Sequence, residues 1–141
     1  MFCVDSIIAQ KNKVNPSIRE EHVFYAKLLR ILLRWIFKNH NGSGIEHINI
    51  WAARIGVRKK KNIFESTVKA YLANDLDITV PYRLLLHASS AHPMLQVADY
   101  CCWALAKKWK DGDSRSYEKI KPVVRTEFEI FRLGRTLYYQ A

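Results

Sequence analysis

Asp99 is the residue of this chain best placed to do chemistry. It stands in Met94-Leu95-Gln96-Val97-Ala98-Asp99-Tyr100-Cys101-Cys102-Trp103-Ala104-Leu105-Ala106, where Gln96 is the only other strongly polar side chain, so its carboxylate is expected on or beside a buried face. A buried charge is costly unless a metal ion, a cation or backbone donors accompany it. The plainer arrangement is a carboxylate facing solvent on a helix packed along two sides, or one paired with Arg54 or Arg83. A second set of residues is basic. Arg58-Lys59-Lys60-Lys61, together with Lys11, Lys13, Lys107, Lys108 and Lys110, could contact phosphates, and Tyr100, Trp103 and Trp109 could either stack on bases or fill a core.

Other reactive side chains are less telling. His87 and His92 flank Ser89-Ser90, but no triad order, nucleophile elbow or metal-ligand spacing accompanies them, so a structural loop is expected. Gly42-Ser43-Gly44 precedes a strand rather than a helix and lacks the geometry of a phosphate cradle. Cys101 and Cys102 have no neighbouring His or basic residue in sequence to lower a thiol pKa, which favours packing over catalysis.

The whole-chain balance points the same way as the basic residues. Among 141 residues there are 23 Lys+Arg against 13 Asp+Glu, a formal net charge of +10 that favours polyanions through counterion release without conferring sequence preference. With 49% hydrophobic and 12% aromatic residues, the chain can build a core, and intrinsic disorder is excluded as its main description. No apolar run reaches the ~18 residues of a membrane span, because Lys27, Arg30, Arg34 and Lys38 interrupt the longest one. The start resembles no cleavable signal. A cytoplasmic protein with no membrane partner is expected, its three cysteines, Cys3, Cys101 and Cys102, reduced and mostly buried.

The elements that must position these residues follow from periodicity. Phe2 to Gln10 reads as a strand running into a polar loop; Ile18 to His40 reads as a long helix, ended by Asn41-Gly42-Ser43-Gly44 and nearly surrounded by protein. Ile48, Ile50 and Ala52 alternate with His47, Asn49 and Trp51, the period of a strand. A loop holding Arg54, Gly56 and the basic run leads to a helix ending near Ala73, then a strand from Ile78 to His87 and a helix from about Met94 to Lys110. A short helix is expected near Tyr117 to Val124, while the type of the aromatic tail with Phe128, Phe131, Tyr138 and Tyr139 stays open. Strands alternating with helices predict an α/β fold with some parallel pairing and helices packed on the sheet. Three strands are few for such a sheet.

The stretch His87 to Ala104, with its Leu95-Gln96-Val97-Ala98-Asp99-Tyr100 core, followed by Lys108-Trp109, Gly112-Asp113 and Tyr117, resembles the C-terminal signature of the DUF3800 family. Val4-Asp5-Ser6, Lys11-Asn12-Lys13, Phe24-Tyr25, the segment Arg54 to Lys61, and Glu127 to Phe131 are similar to the same family, so the resemblance covers nearly the whole chain. It implies an RNase H-like mixed sheet, here lacking the first strands of the full fold, as one partial domain over residues 1–141. It also implies descent from metal-dependent nucleases whose acidic residues hold Mg²⁺ or Mn²⁺ for phosphodiester cleavage. Asp99 matches the family's acidic residue on its last core helix.

Two departures stand beside that match. The family's upstream strand with an Asp-Glu-Ser-Gly type motif is missing, so the chain is expected to be an N-terminally shortened member. Where the family commonly carries an Asp before the Arg of the central loop, this chain has Ala53 before Arg54. Two-metal phosphoryl chemistry needs several carboxylates converging on ions roughly 3.5–4 Å apart, which Asp99 alone cannot supply. Asp5 is the candidate second carboxylate, with Glu20 or Glu21 as lesser ones. Three readings follow: a nuclease relative inactive by itself, a basic module that binds nucleic acid or protein, and a half-domain completed by a second copy or another chain. In the last, the edge of the first strand would invite pairing and self-association.

Overall fold

Val4–Ile8 forms the first strand, β1, in the computed structural model, which describes residues 2–18, 20–39, 44–54, 56–74 and 80–130. Two 3₁₀ turns, Lys11–Lys13 and Pro16–Ile18, lead to helix α1, Glu21–Asn39. Strand β2 is Ile48–Ala53, helix α2 Arg58–Asn74, strand β3 Tyr82–His87, helix α3 Pro93–Asp111, helix α4 Tyr117–Ile120 and strand β4 Val124–Glu129. The result is a mixed α/β chain with two small sheets, β1 paired with β4 and β2 with β3. The second pair is parallel, in register from Ile48 opposite Tyr82 to Ala53 opposite His87. As parallel strands require, the connection between β2 and β3 is long and holds a helix, α2.

Most predicted elements are present, and the differences have physical causes. The basic run lies in the first turn of α2 rather than in a loop. Arg and Lys are good helix formers, which outweighs their unfavourable place at the positive end of the helix dipole. The tail supplies a further strand, β4, in which Val124, Thr126 and Phe128 alternate with Arg125, Glu127 and Glu129. Helix α1 is less enclosed than its composition suggests: Leu33 is its buried residue, and most of its other apolar side chains are half-buried. Residues 41–43, 75–79 and 131–141, including Ile78, Phe131, Tyr138 and Tyr139, lie outside the described residues.

The chain divides into two compact units, the first made of Met1–Asp5, His47–Ile55 and Pro81–Thr126, the second of Ser6–Glu46, Gly56–Val80 and Glu127–Ala141. In the first unit, Cys101, Ala104 and Leu105 of α3 and Ile120 of α4 form a buried cluster against which Val4, Tyr117, Val123 and Val124 pack. Helix α3 also touches β2. Its start is marked by Pro93 in the first turn and its end by Gly112, whose φ of 69° is a left-handed conformation natural to glycine. The second unit has its own core. Val14 and Ile130 are buried with Ile7, Ala9, Phe24, Leu28, Ile31 and Phe128 around them. Trp35 stacks on Phe128 at 4.5 Å, and Phe37 on Tyr71 at 6.0 Å.

Candidate nucleic-acid interface

Asp99 is exposed, not buried. An apolar neighbourhood in sequence did not make a buried face, because α3 turns only part of its circumference to protein: Leu95, Cys101, Ala104 and Leu105 are its buried residues. No hydrogen bond or ion pair reaches Asp99 among the described residues, so it is the solvent-facing alternative that the fold realises, without Arg54 or Arg83. Its charge is nonetheless felt locally. Partial burial, and then the Asp99 carboxylate, raise the Cys102 thiol above its ordinary pKa; burial, and then Cys102, raise Cys101. Neither thiol is activated as a nucleophile by this setting. Of the three free cysteines Cys101 alone is buried; Cys3 and Cys102 are exposed, contrary to expectation.

Asp5 has the opposite environment. Its side chain is 5% exposed, and the Arg125 guanidinium grips it with two N–H donors, Nε at 3.0 Å and Nη2. The Thr126 hydroxyl donates to the same carboxylate, and the pairing in turn raises the pKa of Arg125. A bidentate guanidinium is a strong, directional partner for a carboxylate. Arg125 and Thr126 escaped the sequence reading because they lie 120 and 121 residues away from Asp5.

These two carboxylates do not fit a two-metal centre. Asp5 is already neutralised by a cation, Asp99 stands in solvent, and among the described residues no three His, Cys, Asp or Glu side chains are grouped to hold a metal ion. Ala53, with Ala52 and Trp51 beside it on β2, adds no acid. Glu21 is committed elsewhere, in an ion pair with Lys60.

His87 and His92 belong to an aromatic cluster. Their rings lie 6.1 Å apart, and Trp51 meets them at 5.2 and 4.3 Å respectively. His92 Nδ1 is buried with no hydrogen-bond partner. Ser89–Ala91 is a 3₁₀ turn, where the Ser90 carbonyl accepts a 3.1 Å hydrogen bond from Gln96 Nε2. This is the expected structural loop, held by ring packing.

The basic residues are where the structure offers the most open chemistry. In the second unit, Arg58, Lys59 and Lys61 of α2 are exposed and make no side-chain ion pair among the described residues, whereas Lys60 is half-buried and pairs with Glu21. The Lys61 N–H donates to the Val57 carbonyl at 3.0 Å, closing the first helical turn. The earlier N–H groups of that turn have no intrahelical acceptor and face outward with the positive end of the dipole. Lys13, half-buried, and Lys11 lie in the same unit, in the 3₁₀ turn after β1. Lys27 and Arg30 line an open groove of about 270 Å³ between α1 and α2, with Thr67, Ala70 and Tyr71.

In the first unit Lys107, Lys108 and Lys110 sit at the end of α3. Lys107 bonds Asp111 at 2.9 Å, which raises its pKa, and Lys108 lies 3.7 Å from the centre of the Tyr117 ring. Lys110 is exposed, and no ion pair engages it among the described residues. Beyond the helix, hydrogen bonds from the Arg115 side chain and backbone hold the Asp113 carboxyl at about 2. Tyr100, Trp103 and Trp109 are 40%, 49% and 41% exposed, so of the two arrangements open to these rings it is the surface one that the fold realises. The carboxylates Asp5 and Asp99 thus fall in one unit and the run Arg58 to Lys61 in the other.

No helix among the described residues is long and apolar enough to cross a membrane. Compared with protein-family models, curated proteins and solved structures, the chain matches none.

Proposed function

We propose that this chain is an RNase H-like relative of the DUF3800 family that binds nucleic acid through its basic surface and does not cleave it unaided. The observation that carries this reading is the first turn of α2. Four consecutive cations, Arg58 to Lys61, stand where the helix dipole is itself positive, and only Lys60 has an acidic partner among the described residues. Such an arrangement is electrostatically unfavourable until an anion occupies it. A chain of net charge +10 gains affinity for a phosphate polyanion through counterion release. The mixed α/β architecture with a parallel strand pair is compatible with an RNase H-like sheet. The family's Mg²⁺ or Mn²⁺ chemistry would require carboxylates beyond Asp99 and Asp5.

Replacing Arg58, Lys59 and Lys61 together by alanine tests the reading. Each phosphate contact contributes about 0.9 to the slope of log affinity against log salt on duplex DNA. The triple variant is expected to flatten that slope by about 2–3 in fluorescence-anisotropy titrations. An unchanged slope would remove α2 from the interface.

A second reading is favoured by a specific observation. Phe2, Trp51, Met94 and Val97, all in the first unit, are between 37% and 50% exposed. Large apolar side chains exposed in this way suit a covering chain, either a second copy or a different partner. Sedimentation velocity over a concentration series separates the two readings: self-association would support the covered face, and a monomer throughout would leave the binding module alone.

A further inference from the structure

Helix α3 carries a stripe that the net charge does not explain. Gln96, Tyr100, Trp103, Lys107 and Lys110 recur at spacings of four, three, four and three, which places them along one side of the helix. Asp99 lies beside Tyr100 and four residues before Trp103. The buried positions Cys101, Ala104 and Leu105 fall on another side, against α4. The stripe is also ordered by chemistry, with a carboxylate and two rings in its first half and lysines in its second. Tyr100 and Trp103 touch, their centroids 5.8 Å apart and their planes inclined by 43°. Each is held by its neighbour while remaining 40% and 49% exposed.

We infer that this stripe is a stacking platform for single-stranded nucleic acid, an inference that rests on the proposed nucleic-acid binding and names the form of strand bound. Bases present π-faces to Tyr100 and Trp103, and sugar–phosphate runs toward Lys107 and Lys110. Exposed rings beside cations on one element are the features that bind single strands, whose bases are free to splay onto aromatic faces. A duplex keeps its faces inside the stack and offers the rings only phosphate and groove edges. Asp99 sharpens the choice. Its carboxylate repels a phosphate backbone laid along the first half of the stripe, yet accepts hydrogen bonds from the amino groups of an unpaired base. The Lys107–Asp111 pair is exposed and exchangeable, so its ammonium is available to a phosphate.

The test compares a labelled single-stranded oligonucleotide with its own duplex by anisotropy, using the full chain and its Trp103→Ala, Trp103→Phe and Tyr100→Ala variants. Far-UV circular dichroism checks that each remains folded. Trp103→Ala is expected to weaken single-strand binding about tenfold or more. Duplex affinity and salt slope stay unchanged, and Trp103→Phe recovers most of the loss. Equal affinity for both forms, or folded Trp103→Ala and Tyr100→Ala variants that bind the single strand like the parent, would overturn the platform while leaving the basic-surface reading intact. Absence of binding to either form at low salt would overturn both.

Discussion

Removing the guanidinium that grips Asp5 is expected to cost the fold about 3 kcal/mol, because a nearly buried carboxylate loses its cation. Arg125→Leu is the variant that exposes this, and urea melts followed by circular dichroism measure it. The Asp5 side chain is 5% exposed, so water cannot replace what Arg125 supplies, and the Thr126 hydroxyl is a neutral donor where Arg125 is a cation. Asp5→Asn should be milder. It removes the buried charge and leaves a neutral acceptor for Thr126, while Arg125 can turn toward solvent. The order of the two variants carries the argument. If Asp5→Asn were the more damaging, the pair would not be a buried acid stabilised by a cation, and Asp5 would regain its claim to another role.

Leu105→Ala should cost a similar amount, about 2–5 kcal/mol, as a buried leucine truncated where its surroundings cannot collapse. Leu105 is 4% exposed and packs with Ala104, which is 0% exposed, and with Ile120. Two residues earlier, Trp103 is 49% exposed, and its replacement by alanine should change stability by only about 1 kcal/mol or less. The contrast fixes the rotation of α3. Large losses at Leu105 with small ones at Trp103 place the aromatic stripe in solvent and available to a ligand; the reverse order would put Trp103 in a core and remove the platform.

How much of this was legible in the sequence depends on the range of the interaction. Local periodicity sufficed for β2, α2 and α3, whose ends fall within a few residues of expectation. β4 could have been read from its alternation, but Pro122 before it and the aromatic residues after it obscured a period-two pattern only six residues long. The Asp5–Arg125 pair could not have been read at all, since nothing local marks two residues 120 apart. Asp99 shows a different limit. Apolar neighbours in sequence need not be neighbours in space, since a helix buries only the side it turns to the core, and of the two arrangements open to Asp99 the solvent-facing one is realised. Tyr100 and Trp103 were legible as rings able to stack, and the spacing from Gln96 to Lys110 places them along one side of the helix.

The function proposed for this chain is nucleic-acid binding by a basic surface, without metal and without cleavage. It is tested most directly by titrating the purified chain against a labelled single-stranded oligonucleotide at several salt concentrations, in EDTA and again in Mn²⁺, with the products run on a denaturing gel. Affinity is expected to fall steeply with salt and to be the same in EDTA and Mn²⁺, with the strand left intact. Binding that does not respond to salt, or cleavage that appears with Mn²⁺ and is lost in Asp99→Asn, would contradict it.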